Sequence, residues 1–351
     1  MRKRYTAGGM LAAALIFAAP ASAQNTTGAA QTVKVGIARS LASVATHIAI
    51  EKGYFREVGI NVEIQDLDSS ADAMAILAQG GLNIIEGGVS AGYFNALDKK
   101  LPLTIVSDRT SSPIGHKLLV RNDLKDQIKS IADLKGRVTT TNGPGSIATY
   151  ETAKILESAG LTIKDVDLRV MPFPNLAVAF ENKAIDAALA ILPWSVQLPD
   201  KGMAFEFLDV DDVVKPSPIQ IAVNILNTDW ATKNKDLAQR YFIAYQRGVR
   251  DYCQAYHHGP NRKEVIDIAV KTGAERRPEF LNTFPWPGRD VASKPMTASI
   301  LDAQAWFRNN GLTRADLPVE RLVDTSYVEQ ANSKLGPFEL QNKASKLPSC
   351  R

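Results

Sequence analysis

The chain has 351 residues, 41 Lys+Arg against 37 Asp+Glu, and 45% hydrophobic and 22% charged content. That composition excludes a disordered tail, a collagen-like rod and a cysteine-stapled miniprotein, and the length allows about two domains with cores of their own. A net charge of +4 is too thin an excess to indicate a nucleic-acid partner.

The first residues read as an export address. Arg2, Lys3 and Arg4 form a basic start, residues 10–19 an apolar stretch too short to span a bilayer, and Ala21-Ser22-Ala23 a small-residue cleavage site. Residues 1–23 are therefore predicted to be a cleavable signal peptide, with a soluble mature chain in the periplasm. Its removal leaves 38 basic residues against 37 acidic ones. The only two cysteines, Cys253 and Cys350, then lie in an oxidising compartment. A bridge between them would tie down the C-terminus; the sequence leaves bridge and free thiols equally open.

Strands and helices alternate from there. Strands are predicted over residues 33–37, 62–65, 83–86 and 103–106. Helices are predicted over residues 42–52, through Ala78 with a cap at Asp68, Ser69 or Ser70, and over 90–97. A second series has strands over 116–121, 137–141, 166–171, 184–192, 205–210 and 219–226. Between them lie a helix capped by Ser146 and a short one over 175–181. From Asp229 the pattern is helical: residues 236–257 with an apolar side that includes Gly248, then 261–272 and 296–309, with irregular loop at 284–287. The class is α/β, with two open, mostly parallel sheets flanked by helices. The proline-bearing junctions 107–113 and 215–218 imply two crossovers. Lobe 1 is then 31–112 with 222–351, lobe 2 is 113–221, the helical tail packs on lobe 1, and a cleft can hinge shut between the lobes.

Several phrases carry a family resemblance. They are HIAIEKGYF at 47–55, VGINVE at 58–63, Ala78-Gln79-Gly80, Gly87-Gly88 and Leu101-Pro102-Leu103. SIADLKG at 130–136, the 143–146 turn, AIDAA at 184–188 and Pro193-Trp194 follow in order. The chain resembles the periplasmic substrate-binding proteins of ABC importers, in the nitrate/sulfonate/taurine (NitT/TauT) group. The resemblance implies the two-lobed type II periplasmic binding fold. It also implies a small, anionic ligand (sulfonate, nitrate or carboxylate-like) held between the lobes, and partners in a permease and its ATPase subunit. No cofactor, enzyme activity or nucleic-acid partner is expected, and the protein is expected to act as a monomer.

Open α/β sheets bind ligands at strand C-terminal ends and helix N-termini. Four loops qualify: Arg39, Ser40 and Ser43 after the first strand; Gly88, Val89 and Ser90 after the third; Arg109 and Thr110 at the first crossover; Gly145 and Ser146 in lobe 2. Trp194 could add an aromatic wall. Each has a plainer reading: a tight turn at Gly87-Gly88, helix caps at Ser90 and Ser146, surface or ion-paired arginines, and a core tryptophan. His257-His258 does not indicate a metal, because neighbouring helical positions point about 100° apart. A rival reading is a secreted serine hydrolase, since Gly88-Val89-Ser90-Ala91-Gly92 matches G-x-S-x-G between a strand and a helix. A thiamine-pyrimidine synthase of similar fold and a solute-sensing receptor lobe are further options.

Overall fold

The computed structural model describes residue 1 and residues 29–37, 40–67, 70, 73–283 and 285–350. Residues 2–23 of the proposed signal peptide, Arg39, Asp68 and Ser69 lie outside the described residues. Ten strands follow in chain order: β1 (Gln31–Ile37), β2 (Ile60–Asp66), β3 (Ile84–Gly88), β4 (Leu103–Ser111), β5 (Lys117–Arg121), β6 (Val138–Thr141), β7 (Asp167–Val170), β8 (Ala187–Ala190), β9 (Ala204–Asp209) and β10 (Gln220–Asn227).

They form two five-stranded sheets, ordered β2-β1-β3-β10-β4 and β7-β6-β8-β5-β9. Each sheet has one reversed strand: β10 runs antiparallel to β3 and β4, and β5 antiparallel to β8 and β9. The expected mostly parallel sheets are therefore mixed, and the reason is topological. β5 is the first strand after the chain enters lobe 2, and β10 the first after it returns. Neither arrives through the helical crossover that parallel neighbours need.

The alternation of apolar side chains fixes which face goes where. On the first sheet Val33, Val35, Ile37, Ile84, Val106 and Leu226 share a buried cluster with helices Val44–Glu51 and Lys235–Tyr256. The two helices cross closely at Gly248, where a Cβ would lie 2.2 Å from the Ala45 carbonyl oxygen, so only glycine fits. The opposite face, with Ile85, Ile105, Val223 and Ile225, packs on helices Ala91–Asp98 and Thr297–Asn309. That cluster continues into lobe 2 through Ala148, Ile155, Leu118 and Leu189.

The helical tail therefore touches both lobes. Tyr150 of lobe 2 sits edge-on to Trp306, ring centroids 6.0 Å apart, and its hydroxyl donates to Asp302 at 2.6 Å. Trp306 Nε1 donates to Glu157 at 2.8 Å. Cys253 and Cys350 are joined, with Cα atoms 5.1 Å apart. His257 is committed to the same strap: Nδ1 pairs with Ser345 Oγ at 2.7 Å and Nε2 with the Ser349 carbonyl at 2.8 Å. No helix among the described residues is long and apolar enough to cross a membrane.

Candidate functional site

The strand ends of the two sheets meet where the helix Ile147–Glu157 begins. Ser146 is its N-cap, in extended conformation, and its hydroxyl accepts from Thr149 N at 3.3 Å. Thr149 Oγ1 donates to the Gly143 carbonyl at 2.7 Å, and Thr141 Oγ1 lies 2.7 Å from it. The turn thus presents hydroxyls around a helix N-terminus, whose partial positive charge suits an anion. Gly145 has φ +78°, and a Cβ there would approach Ala91 Cβ to 2.9 Å. Ala91 N donates to the Gly145 carbonyl at 2.9 Å, so lobe 1 touches lobe 2 here.

On the lobe 1 side, Gly88 ends β3, and a Cβ on it would lie 3.3 Å from Ile147 Cγ2. Gly87 and Gly88 pair with Val223 and Ala222. The tight turn considered from sequence is therefore corrected to strand, because the ladder to β10 extends to its last residue. Val89 and Ser90 are buried, and Val89 N donates to Ile221 O at 3.0 Å. Ser90 caps the next helix, accepting from Tyr93 N at 3.4 Å. Its φ of −147° and ψ of 158° are ordinary extended backbone, not the strained turn a nucleophile elbow requires. His116 is engaged elsewhere, its Nδ1 2.9 Å from Glu151 Oε1. The hydrolase reading is not favoured.

Ser43 is buried and donates to the Ser40 carbonyl at 2.7 Å, closing the loop after β1. Arg109 and Thr110 were expected in a crossover loop. They lie in β4, which runs to Ser111 because β10 pairs along its whole length. Both are buried, and Thr110 Oγ1 donates to the Arg109 carbonyl at 2.8 Å. Arg109 Nε is 3.2 Å from Glu86 Oε2. Trp194 is half-buried and stacks on Phe173 at 5.9 Å. The helix expected to start at Asp68–Ser70 begins at Met74, with Ala73 at its cap position.

Sequence reasoning missed the partners of Arg109. One rung of the first sheet carries Ile37, Glu86, Asn224 and Ser107 side by side. Thr46 donates to Glu86, and Asn224 Nδ2 donates to Ser107 Oγ at 2.6 Å. Burial pushes the Glu86 carboxyl up, against the pull of Arg109 and Thr46. Asp108 is fully buried; it accepts from Ser111 Oγ at 2.9 Å, Asp290 N at 2.7 Å and Gln220 Nε2 at 2.7 Å. Burial nonetheless pushes it up to about 6. Arg289, from the irregular stretch before helix Thr297–Asn309, adds a second buried guanidinium. The signal for Glu86 was present: it is the one charge in an otherwise apolar strand. For Arg289 it was weak, because no periodic pattern surrounds it.

Two α/β lobes joined by a double crossover, with a helix N-terminus facing the other lobe's strand ends, define the periplasmic binding protein class. The chain belongs to the NMT1/THI5-like family, whose sequence model matches residues 42–256. No curated protein matches it in sequence. Among solved structures, the alkanesulfonate-binding protein SsuA from Xanthomonas axonopodis pv. citri, bound to MOPS, is similar with a TM-score of 0.64. It has 16% identity, covering 84% of this chain and 98% of that one. The periplasmic nitrate-binding protein NrtA from Synechocystis PCC 6803 has a TM-score of 0.69 at 15% identity, covering 87% of this chain and 89% of that one. The desulfurization enzyme DSZB has a TM-score of 0.61 at 14% identity, covering 87% of this chain and 100% of that one. These likenesses are of fold. The resemblance read from the sequence agrees with the family and the fold.

Proposed function

We propose that this protein is the periplasmic solute-binding component of an ABC importer, acting as a monomer after loss of residues 1–23. It captures one small anionic solute between the lobes and delivers it to a membrane permease. The observation that carries the reading is the meeting of the capped helix at Ser146 with the Gly88–Ala91 segment across the lobe boundary, beside a wall holding two buried arginines. Ser40, Ser43, Ser90 and Gly145 supply hydroxyls and backbone donors around it. The solutes bound by the structural neighbours, alkanesulfonate and nitrate, fit this chemistry.

A thermal-shift screen of the mature protein against nitrate, sulfonates, carboxylates, pyrimidines and amines tests the reading. A true ligand at about 100 times its dissociation constant stabilises the folded state by about 2.7 kcal/mol. No shift across the whole panel contradicts a solute-binding role.

A further inference from the structure

Arg289 is the largest side chain among the described residues to be completely buried, at 1% exposure. A guanidinium carries five N–H donors, no acceptor, and a charge it does not shed. Here Nη2 donates to the Ala42 carbonyl at 3.1 Å, in the loop after β1. Nε and Nη1 are buried and make no well-formed hydrogen bond to a protein acceptor, the Tyr252 hydroxyl being the nearby oxygen. Unpaired charged donors in an interior are strongly unfavourable unless something else accepts from them.

The side chain is held firmly. Tyr252 covers one face, its ring centroid 3.9 Å from the guanidinium carbon, and its own hydroxyl donates to the Pro287 carbonyl at 2.7 Å. Arg289 N donates to Ser349 Oγ at 2.8 Å, and its carbonyl accepts from Cys350 N at 3.0 Å. Cys350 is bridged to Cys253 in the long helix. The C-terminal strap therefore fixes this arginine, and a fixed donor set loses little entropy on meeting a ligand.

The nearby carboxylates are engaged with other partners. Glu86 and Asp108 lie near Arg289, yet Glu86 faces Arg109, and Asp108 is occupied by Ser111, Asp290 and Gln220. Tyr245 sits beside the cluster, its buried hydroxyl next to the Asn224 side chain. We propose that Arg289 anchors the head group of the captured solute, a carboxylate, sulfonate or similar oxyanion that accepts from Nε and Nη1. This deepens the importer reading and rests on it. The sequence pointed to Arg39 and Arg109 for this task; Arg109 is engaged with Glu86.

The test uses the mature chain with its tail and disulfide intact. Benzoate, methanesulfonate and nitrate are titrated calorimetrically, with benzamide as the uncharged match for benzoate. The wild type should bind at least one of the anions and leave benzamide unbound. Arg289→Gln should weaken the anion at least thirtyfold, and Arg289→Lys, which keeps charge but loses the planar fork, should fall between. Should Arg289→Gln fail to fold, the Nε–H resonance of Arg289 in the wild type, assigned by its loss in Arg289→Lys, should move when the anion is added. Anion binding within threefold in folded Arg289→Gln, or an unmoved Nε–H signal, makes Arg289 purely structural and leaves the importer reading standing. Equal binding of benzamide and benzoate, or a ligand from the wider screen that is a neutral pyrimidine or an amine with no anion bound, overturns the anchor alone. A wild type that binds nothing in either set overturns both.

Discussion

The two walls of the cleft are built from different chemistry. Lobe 1 sets Glu86, Asp108, Arg109 and Arg289 behind its strand ends, all buried. Around its helix start lobe 2 presents neutral groups, the hydroxyls of Thr141, Ser146 and Thr149, with the stacked pair Phe173 and Trp194; its buried carboxylate, Glu151, is paired with His116. Charges are expensive to take out of water, and a pair is tolerated only where its geometry is fixed. With both buried arginines on lobe 1, their desolvation is met when that lobe folds. On the proposed reading, charge selectivity belongs to lobe 1.

The largest test of this contrast breaks the buried pair. Arg109→Met leaves Glu86 without its partner and should cost about 3–5 kcal/mol in urea unfolding. Adding Glu86→Leu should recover most of that loss, because the penalty comes from the stranded charge. A next, smaller effect is in pH. Asp108 titrates near 6 when folded and near 3.8 when free, so the folded state holds the proton more tightly. Its contribution favours folding fully below about pH 4 and is lost as pH rises through about 6, a change of about 3 kcal/mol. Asp108→Asn should flatten stability between those pH values, measured as unfolding free energy at each pH. The smallest effect is expected on the neutral wall. Ser146→Ala removes a cap and should cost about 1 kcal/mol of stability. It should weaken anion binding less than tenfold, well short of the effect of Arg289→Gln.

The sequence made the alternating framework readable because strand and helix periods differ, and because Gly53, Gly160 and the Ser90 and Ser146 caps mark boundaries. It understated β4 and put Asp108–Thr110 in a loop, since polar residues in a row look like a connection. Their burial comes from β10, more than a hundred residues later, which no local pattern announces. Arg289 escaped for the same reason. The stretch around it, with Trp286, Pro287 and Gly288, has no regular period, and what buries it is the returning strap at Ser349 and Cys350. Hydroxyl-rich helix starts are visible from local sequence; a site assembled from distant, irregular segments is not.

Capture of an anion between unlike walls is open to a direct check. A crystal structure of the mature protein with its tightest anionic ligand tests it most directly. The account predicts the head group on the Arg289 side of lobe 1, with the rest of the solute meeting the helix start at Ser146. A ligand lodged instead in the outer groove of about 520 Å³ beside Arg250 and Phe338, with the space between the lobes unchanged, would contradict it.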